Sequence, residues 1–168
     1  ANEEAARKLA AGIFESFVPT SDWAQFDLGQ IDEAALAKRI ARRLGTTEAQ
    51  MRTVIDAIPG HLEPQPAVVA LFHQLKDAGH RMFYLSNMPL SYATHLERVN
   101  SFVGQFERGI FSSRVGLMKP QAEIFRLAHE RFSLELDQPI CLAQEVVEGF
   151  DAYAVRHRDP GAPAFDVV

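Results

Sequence analysis

The chain has 168 residues, a length that suits one ordinary domain or a domain core with a small appendage. Hydrophobic residues make up 47% of it and charged residues 23%, as in folded globular proteins. The net charge of −5 is spread along the chain, so the basic surface of a nucleic-acid-binding protein is missing. No apolar run reaches the roughly 18 residues of a membrane span, and the first residues do not form a signal peptide. We expect a cytoplasmic protein whose single cysteine, Cys141, is buried.

The N-terminal part of the chain predicts helices and no strand. Apolar residues recur there at helical spacing, and the predicted helices cover residues 1–17, 33–44 and 48–58, with a shorter turn or helix at 21–23. Asp32 and Thr47 stand where each can cap the helix that follows it. These three or four amphipathic helices form a helical segment, which we assign to residues 1–62.

From residue 63 onward, helices and strands alternate. The predicted strands cover residues 81–86, 109–112, 139–143 and 164–168, and the predicted helices cover residues 66–78, 91–100, 119–132 and 145–157. Alternation at this spacing favours a parallel sheet with helices on both faces. The predicted fold class is therefore α/β, with the helical segment ahead of an α/β half that spans residues 63–168.

Polar residues follow the predicted strands in chain order. Ser86-Asn87 comes after the first strand, and Ser112-Ser113 after the second. Ligands of open α/β sheets bind beyond the carboxyl ends of the strands. Lys119 follows shortly after, at the predicted start of a helix, where free N–H groups favour anions. Because a hydroxyl supplies a directed hydrogen bond and an ammonium supplies charge, Ser86 and Lys119 together suit an oxyanion such as phosphate.

Three segments carry a resemblance to a known family. Residues 84–89 (YLSNMP), 111–120 (FSSRVGLMKP) and 122–125 (AEIF) closely resemble the haloacid dehalogenase-like (HAD) hydrolase superfamily. Ser86 matches the serine or threonine of its second motif, which hydrogen-bonds a phosphoryl oxygen. Lys119 matches the lysine of its third motif, which neutralises the charge of nucleophile and phosphate.

The helical segment resembles the cap of one HAD subgroup. That subgroup contains small phosphatases such as glucose-1-phosphatase-like proteins and the phosphatase domain of soluble epoxide hydrolase. Residues 21–23 (SDW) followed by 27–29 (DLG) are typical of this cap. The resemblance therefore implies a Rossmann-like parallel core with an N-terminal helical cap.

The resemblance also implies an activity and its site residues. The implied enzyme is a Mg²⁺-dependent phosphomonoesterase that acts on a small phosphorylated metabolite, with Ser86 and Lys119 as catalytic residues. Asn87 would contact the substrate beside Ser86. Trp23 fits packing within the cap and also a substrate contact, because caps of this kind lie over the active site. The expected partner is a small phosphorylated molecule or an inorganic anion, rather than a nucleic acid or a membrane.

Two features of the family are missing from this sequence. The family's nucleophile is the first aspartate of an Asp-x-Asp motif after an N-terminal strand, but the sequence has no Asp-x-Asp and begins within the expected cap. The residues around Asp27 resemble this motif, yet no buried strand precedes them. We therefore do not expect Asp27 to be the nucleophile. Ala143-Gln144 replaces the acidic pair that binds Mg²⁺. Glu145 and Glu148, on a predicted helix face, are weak candidates for metal ligands.

These departures predict poor or absent catalysis and keep three functions open. The first is a phosphatase-type hydrolase. The second is a non-catalytic HAD-fold protein for binding or assembly. The third is a metal-free 2-haloacid dehalogenase, which the pair Ser86-Asn87 would suit.

The absence of the first strand also has a structural consequence. In this fold that strand is central, so its loss would leave a hydrophobic slot between open strand edges. We expect either that another chain fills the slot, as in a homo-oligomer, or that the strand order is rearranged.

Overall fold

A computed structural model describes residues 2–14, 18, 20–134, 140–147 and 150–155 of the chain. The helices in these ranges are α1 (Asn2–Phe14), α2 (Asp22–Asp27), α3 (Glu33–Leu44), α4 (Glu48–Ala57), α5 (Pro66–Asp77), α6 (Leu90–Val99), α7 (Ser112–Val115) and α8 (Ala122–Phe132). The strands are β1 (Arg81–Ser86), β2 (Arg108–Phe111), β3 (Ile140–Val147) and β4 (Phe150–Val155). The fold is thus a mixture of helices and strands, and none of the described helices combines the length and apolar character needed to cross a membrane.

The helix caps expected from the sequence are present in the helical segment. The Asp32 carboxylate accepts a hydrogen bond from the Ala35 N–H at 2.8 Å and begins α3. Thr47 and Gln50 bond reciprocally in a capping box that begins α4. Gly45 adopts a left-handed conformation, with φ at 67°, and ends α3. Because both ends of α3 are fixed locally, its apolar face is held in register against the core.

A chain of aromatic rings joins the helical segment to the α/β half. Trp23 packs edge-on against Phe14 and Phe26, with ring centroids 4.6 Å and 5.7 Å away. Phe26 in turn meets the Tyr92 ring of α6 at 5.4 Å. The Tyr92 hydroxyl donates a hydrogen bond to the Ile55 carbonyl at 2.8 Å. Residues from both parts of the chain therefore share one apolar cluster, which holds the helical segment beside β1.

The four strands form one sheet in the order β2-β1-β4-β3. β1 and β2 are parallel, and their register places Ser86 opposite Phe111 at the carboxyl ends of both strands. β4 runs antiparallel to β1 on its other side, and β3 runs antiparallel to β4. The fully parallel sheet predicted from the sequence is therefore wrong for the described strands. The two arrangements expected for a HAD core without its first strand, a second chain in the slot or a rearranged strand order, stay predictions.

The helix predicted over residues 145–157 is wrong where the structure describes it, because residues 145–147 lie in β3 and residues 150–155 in β4. β-branched and aromatic residues favour strands, and this stretch contains Val146, Val147, Phe150, Tyr153 and Val155. The second edge of β1 supplies backbone groups with which β4 pairs. Backbone hydrogen bonds along that edge favour a strand here, although acidic residues three positions apart had predicted a helix. The strand predicted at 164–168 lies outside the described residues.

β1 is buried on both faces of the sheet. Phe83 and Leu85 pack into one apolar cluster with α8, where the Phe83 and Phe132 rings stack at 4.7 Å. Tyr84 points to the opposite face, between Phe106 and Phe111. A strand that is apolar throughout is typical of a sheet covered on both sides.

Gly109 is required by the packing of Tyr84 across the sheet. A Cβ atom at residue 109 would lie 2.0 Å from the Tyr84 ring. We expect Gly109→Ala to lower the free energy of unfolding by roughly 1–3 kcal/mol, because the buried ring has to shift. Gly104→Ala is the control, since no atom lies within 4 Å of the Cβ position there. Urea denaturation measures both, and equal stabilities of the two variants would contradict the packing argument.

Candidate functional site

The carboxyl end of β1 places a buried hydroxyl at the centre of the candidate site. Ser86 is the last residue of β1 and is fully buried. Asn87 follows directly, and Met88 leads through Pro89 into α6. The structure thus places Ser86 and Asn87 at the carboxyl end of a strand, as the sequence predicted.

Ser112 connects three elements through one hydroxyl group. Its Oγ accepts a hydrogen bond from the Met88 N–H at 2.9 Å and donates one to the Asp27 carbonyl at 2.5 Å. Ser112 is itself fully buried at the start of α7, directly after β2. From the sequence, Ser112 was expected at a strand end, without a role of its own. Its position directly after an apolar strand was the sequence feature that could have indicated this role.

Asn87 connects the end of β1 to Lys119. The Asn87 Nδ2 donates to the Lys119 carbonyl at 3.0 Å, and the Asn87 Oδ1 accepts from the Lys119 N–H at 2.8 Å. This double contact brings residue 119 next to the strand end that carries Ser86. The two residues that the sequence assigned to an anion site therefore come from neighbouring segments.

Lys119 does not begin a helix, so the predicted start of helix 119–132 is wrong. It lies in a turn, and α8 begins three residues later at Ala122. A residue before proline is disfavoured in helical conformation, and Lys119 precedes Pro120. Lys119 can therefore contribute its own charge to an anion site, but it does not place the anion at a helix terminus.

Burial changes the acid–base behaviour of Lys119. The side chain is half-buried, and this loss of hydration lowers the pKa of the Lys119 ammonium to about 8. The group is therefore mostly charged at neutral pH and loses its proton as the pH rises through 8. Reduced contact with water also strengthens the electrostatic interaction between the charged ammonium and a bound anion.

Asp27 is a buried carboxyl group at the end of α2. The residue is 3% exposed, and burial raises the pKa of its carboxyl to about 7. No hydrogen bond to the side chain and no nearby charge within the described part of the chain offsets that effect. Asp27 stands on a helix and not at the end of a strand, as the sequence indicated.

The turn after Asp27 is packed closely against α7. Gly29 has a φ of 69°, and a Cβ atom there would lie 2.9 Å from the Ser113 carbonyl oxygen. Leu28 and Ala24 pack against Met118, which precedes Lys119. The helical segment therefore contacts α7 and the turn that carries Lys119.

Trp23 is 6% exposed and is enclosed by Phe14 and Phe26. Packing within the helical segment is therefore sufficient to account for a tryptophan at residue 23. Its contact with a substrate stays a prediction.

Of the two weak metal-ligand candidates from the sequence, the structure describes one. Glu145 lies in β3 and not on the predicted helix, and Glu148 lies outside the described residues. Within the described ranges, no group of three or more histidine, cysteine or acidic side chains could hold a metal ion. The described residues thus offer no Mg²⁺ site, and we derive no step through a metal.

Comparison with known proteins supports one broad assignment. No family model matches the chain. The chain is 22% identical over 111 residues to the sesquiterpene phosphatase astK of Aspergillus oryzae. The match covers 66% of this chain and 56% of the relative, so the chain spans a little over half of the relative's length. This distant similarity supports a phosphatase-type hydrolase.

The raised pKa of the Asp27 carboxyl leads us to expect that the stability of the protein depends on pH. Its pKa is 3.8 in the unfolded reference and about 7 in the folded chain, so between these values the folded state holds more protons. The stability contributed by this group therefore falls as the pH rises from 4 to 7. We expect Asp27→Asn to gain stability relative to the native protein over that interval, by on the order of 2–4 kcal/mol.

Urea denaturation at pH 4.5, 5.5, 6.5 and 7.5 measures this difference. Asp56→Asn is the matched control, because its carboxylate is half exposed and is paired with Arg52. A difference between native protein and Asp27→Asn that stays constant with pH would contradict the raised pKa.

Proposed function

We propose that the chain is a HAD-like phosphatase with a helical cap, and that the end of β1 and the Lys119 turn bind the phosphoryl group of a small phosphorylated metabolite. One observation carries this proposal. The Asn87 amide holds the backbone of Lys119 beside the strand end that carries the buried Ser86. The similarity to a phosphatase and the resemblance of both segments to HAD motifs support the same assignment.

The chemistry of the two residues suits a phosphoryl group. A serine hydroxyl can donate a hydrogen bond to a phosphoryl oxygen, and the Lys119 ammonium can balance its negative charge. Both residues are partly or fully removed from water, where charge interactions are stronger than in bulk solvent. The name of the relative adds a phosphorylated sesquiterpene to the candidate substrates.

Hydrolysis needs a nucleophile in addition to this anion site. In the reaction implied by the resemblance, an aspartate attacks phosphorus, the ester P–O bond breaks, and water then cleaves the aspartyl-phosphate. The sequence has no Asp-x-Asp motif, and Ala143-Gln144 stands in place of the acidic pair. We therefore assign Ser86 and Lys119 to phosphoryl binding and charge neutralisation, and we assign no residue to the attack.

A second candidate function is anion binding without turnover. The replacement of the family's acidic pair by Ala143-Gln144 favours it. A 2-haloacid dehalogenase would need the same aspartate, and no contact in the described residues favours it over the other two functions. Hydrolysis of a generic aryl phosphate, measured with and without Mg²⁺, separates turnover from binding alone.

Lys119 gives the proposal a direct test with sulfate, an anion whose charge stays constant between pH 6.5 and 9.5. We expect Lys119→Met to weaken sulfate binding at pH 7 about tenfold or more, because charge-assisted hydrogen bonds contribute roughly 1.5–3 kcal/mol. Since the pKa of Lys119 is about 8, binding to the native protein should weaken as the pH rises through 8. Isothermal titration calorimetry measures both effects.

Lys38→Met is the control for this test. Lys38 lies in a basic groove between α3 and α4, and none of the residues that line this groove belongs to the end of β1 or the Lys119 turn. Its loss should leave sulfate binding and its pH dependence unchanged. Sulfate binding that keeps its decline above pH 8 in Lys119→Met would contradict the proposed site.

A further inference from the structure

Asn87 uses both ends of its side-chain amide on the backbone of a single residue. Its Oδ1 accepts from the Lys119 N–H at 2.8 Å, and its Nδ2 donates to the Lys119 carbonyl at 3.0 Å. Together the two hydrogen bonds fix the peptide groups on both sides of the Lys119 Cα atom. This is the pattern by which one strand residue holds a residue of its neighbour.

The segment that Asn87 holds lies between two short regular elements. Gly116, in a left-handed conformation, ends α7, and α8 begins at Ala122. Met118 and Gln121 bond to each other within the turn, but those contacts shape the turn without attaching it to the sheet. The Asn87 amide makes that attachment, at the residue that carries the ammonium group.

We propose that Asn87 is a positioning residue that holds Lys119 at the anion site and does not itself bind the anion. This inference rests on the proposed function and revises the substrate contact expected for Asn87 from the sequence. The amide oxygen of Asn87 is its only side-chain acceptor, and it is already engaged with residue 119, as is one of its N–H groups. The second Nδ2 N–H is the group through which Asn87 could contact an anion directly, and the double-mutant cycle below distinguishes that contact from positioning.

Loss of the Asn87 amide should release the Lys119 turn from the strand end. Two backbone groups of residue 119 would lose their partners and turn toward water. The Lys119 ammonium would follow, because burial is unfavourable for its charged form. Its pKa should then rise from about 8 toward the ordinary lysine value of about 10.4.

Competitive acylation of the Lys119 amine across a range of pH, read by mass spectrometry, tests this inference without requiring activity. Asn87→Leu preserves the size of the side chain and removes both hydrogen bonds. We expect the apparent pKa of Lys119 to rise by one unit or more in this variant. An unchanged pKa in a folded Asn87→Leu protein would overturn the proposal.

Asn100→Leu is the matched control. Asn100 is also a buried asparagine, and its Nδ2 has no hydrogen-bond partner among the described residues. Its replacement should leave the Lys119 titration unchanged. If Asn87→Leu does not fold, Asn87→Ser serves instead, because a serine hydroxyl is too short to reach both backbone atoms of residue 119.

A double-mutant cycle distinguishes positioning from direct contact. We expect Asn87→Leu to weaken sulfate binding about tenfold in the native background and to have no further effect when Lys119→Met is already present. An equal loss in both backgrounds would show that Asn87 contacts the anion itself. If the native protein does not bind sulfate, the proposed function fails, whereas the acylation experiment still decides the role of Asn87.

Discussion

The end of β1 depends on two polar side chains that replace regular backbone hydrogen bonding. Beyond Ser86 the chain leaves the sheet in a buried region, where unpaired backbone groups are costly. Ser112 satisfies the Met88 N–H and also binds the Asp27 carbonyl, and Asn87 pairs with both backbone groups of Lys119. Because these contacts cross between the helical segment and two loops, they fix the relative positions of all the residues in the candidate site.

Asp27 shows the cost of this arrangement. Its carbonyl is needed by Ser112, while its carboxyl is enclosed where burial raises its pKa to about 7. A neutral or apolar side chain at the end of α2 would avoid that desolvation. The close approach of Gly29 to Ser113 keeps this turn against α7, so the carboxyl remains enclosed at the boundary between the helical segment and the α/β half.

Local signals in the sequence predicted the elements whose ends are fixed locally. The caps at Asp32 and Thr47 and the apolar run of β1 gave the correct helices and strand. The helix predicted over residues 145–157 was wrong where the structure describes it, because β4 pairs with β1 through long-range contacts that local residue spacing does not predict. Ser86 and Lys119 were assigned through motifs, but the Asn87 contact between them depends on residues 32 positions apart and could not be read from spacing.

A titration of the ¹⁵N-labelled protein with inorganic phosphate, followed by amide chemical shifts, tests the central claim most directly. If the end of β1 and the Lys119 turn form the anion site, the largest shifts should occur at Ser86, Asn87 and Lys119. A competing surface is the basic groove between α3 and α4, whose lining includes Lys38, Arg39 and Arg42. Shifts centred on that groove, with Ser86 and Lys119 unchanged, would contradict the account.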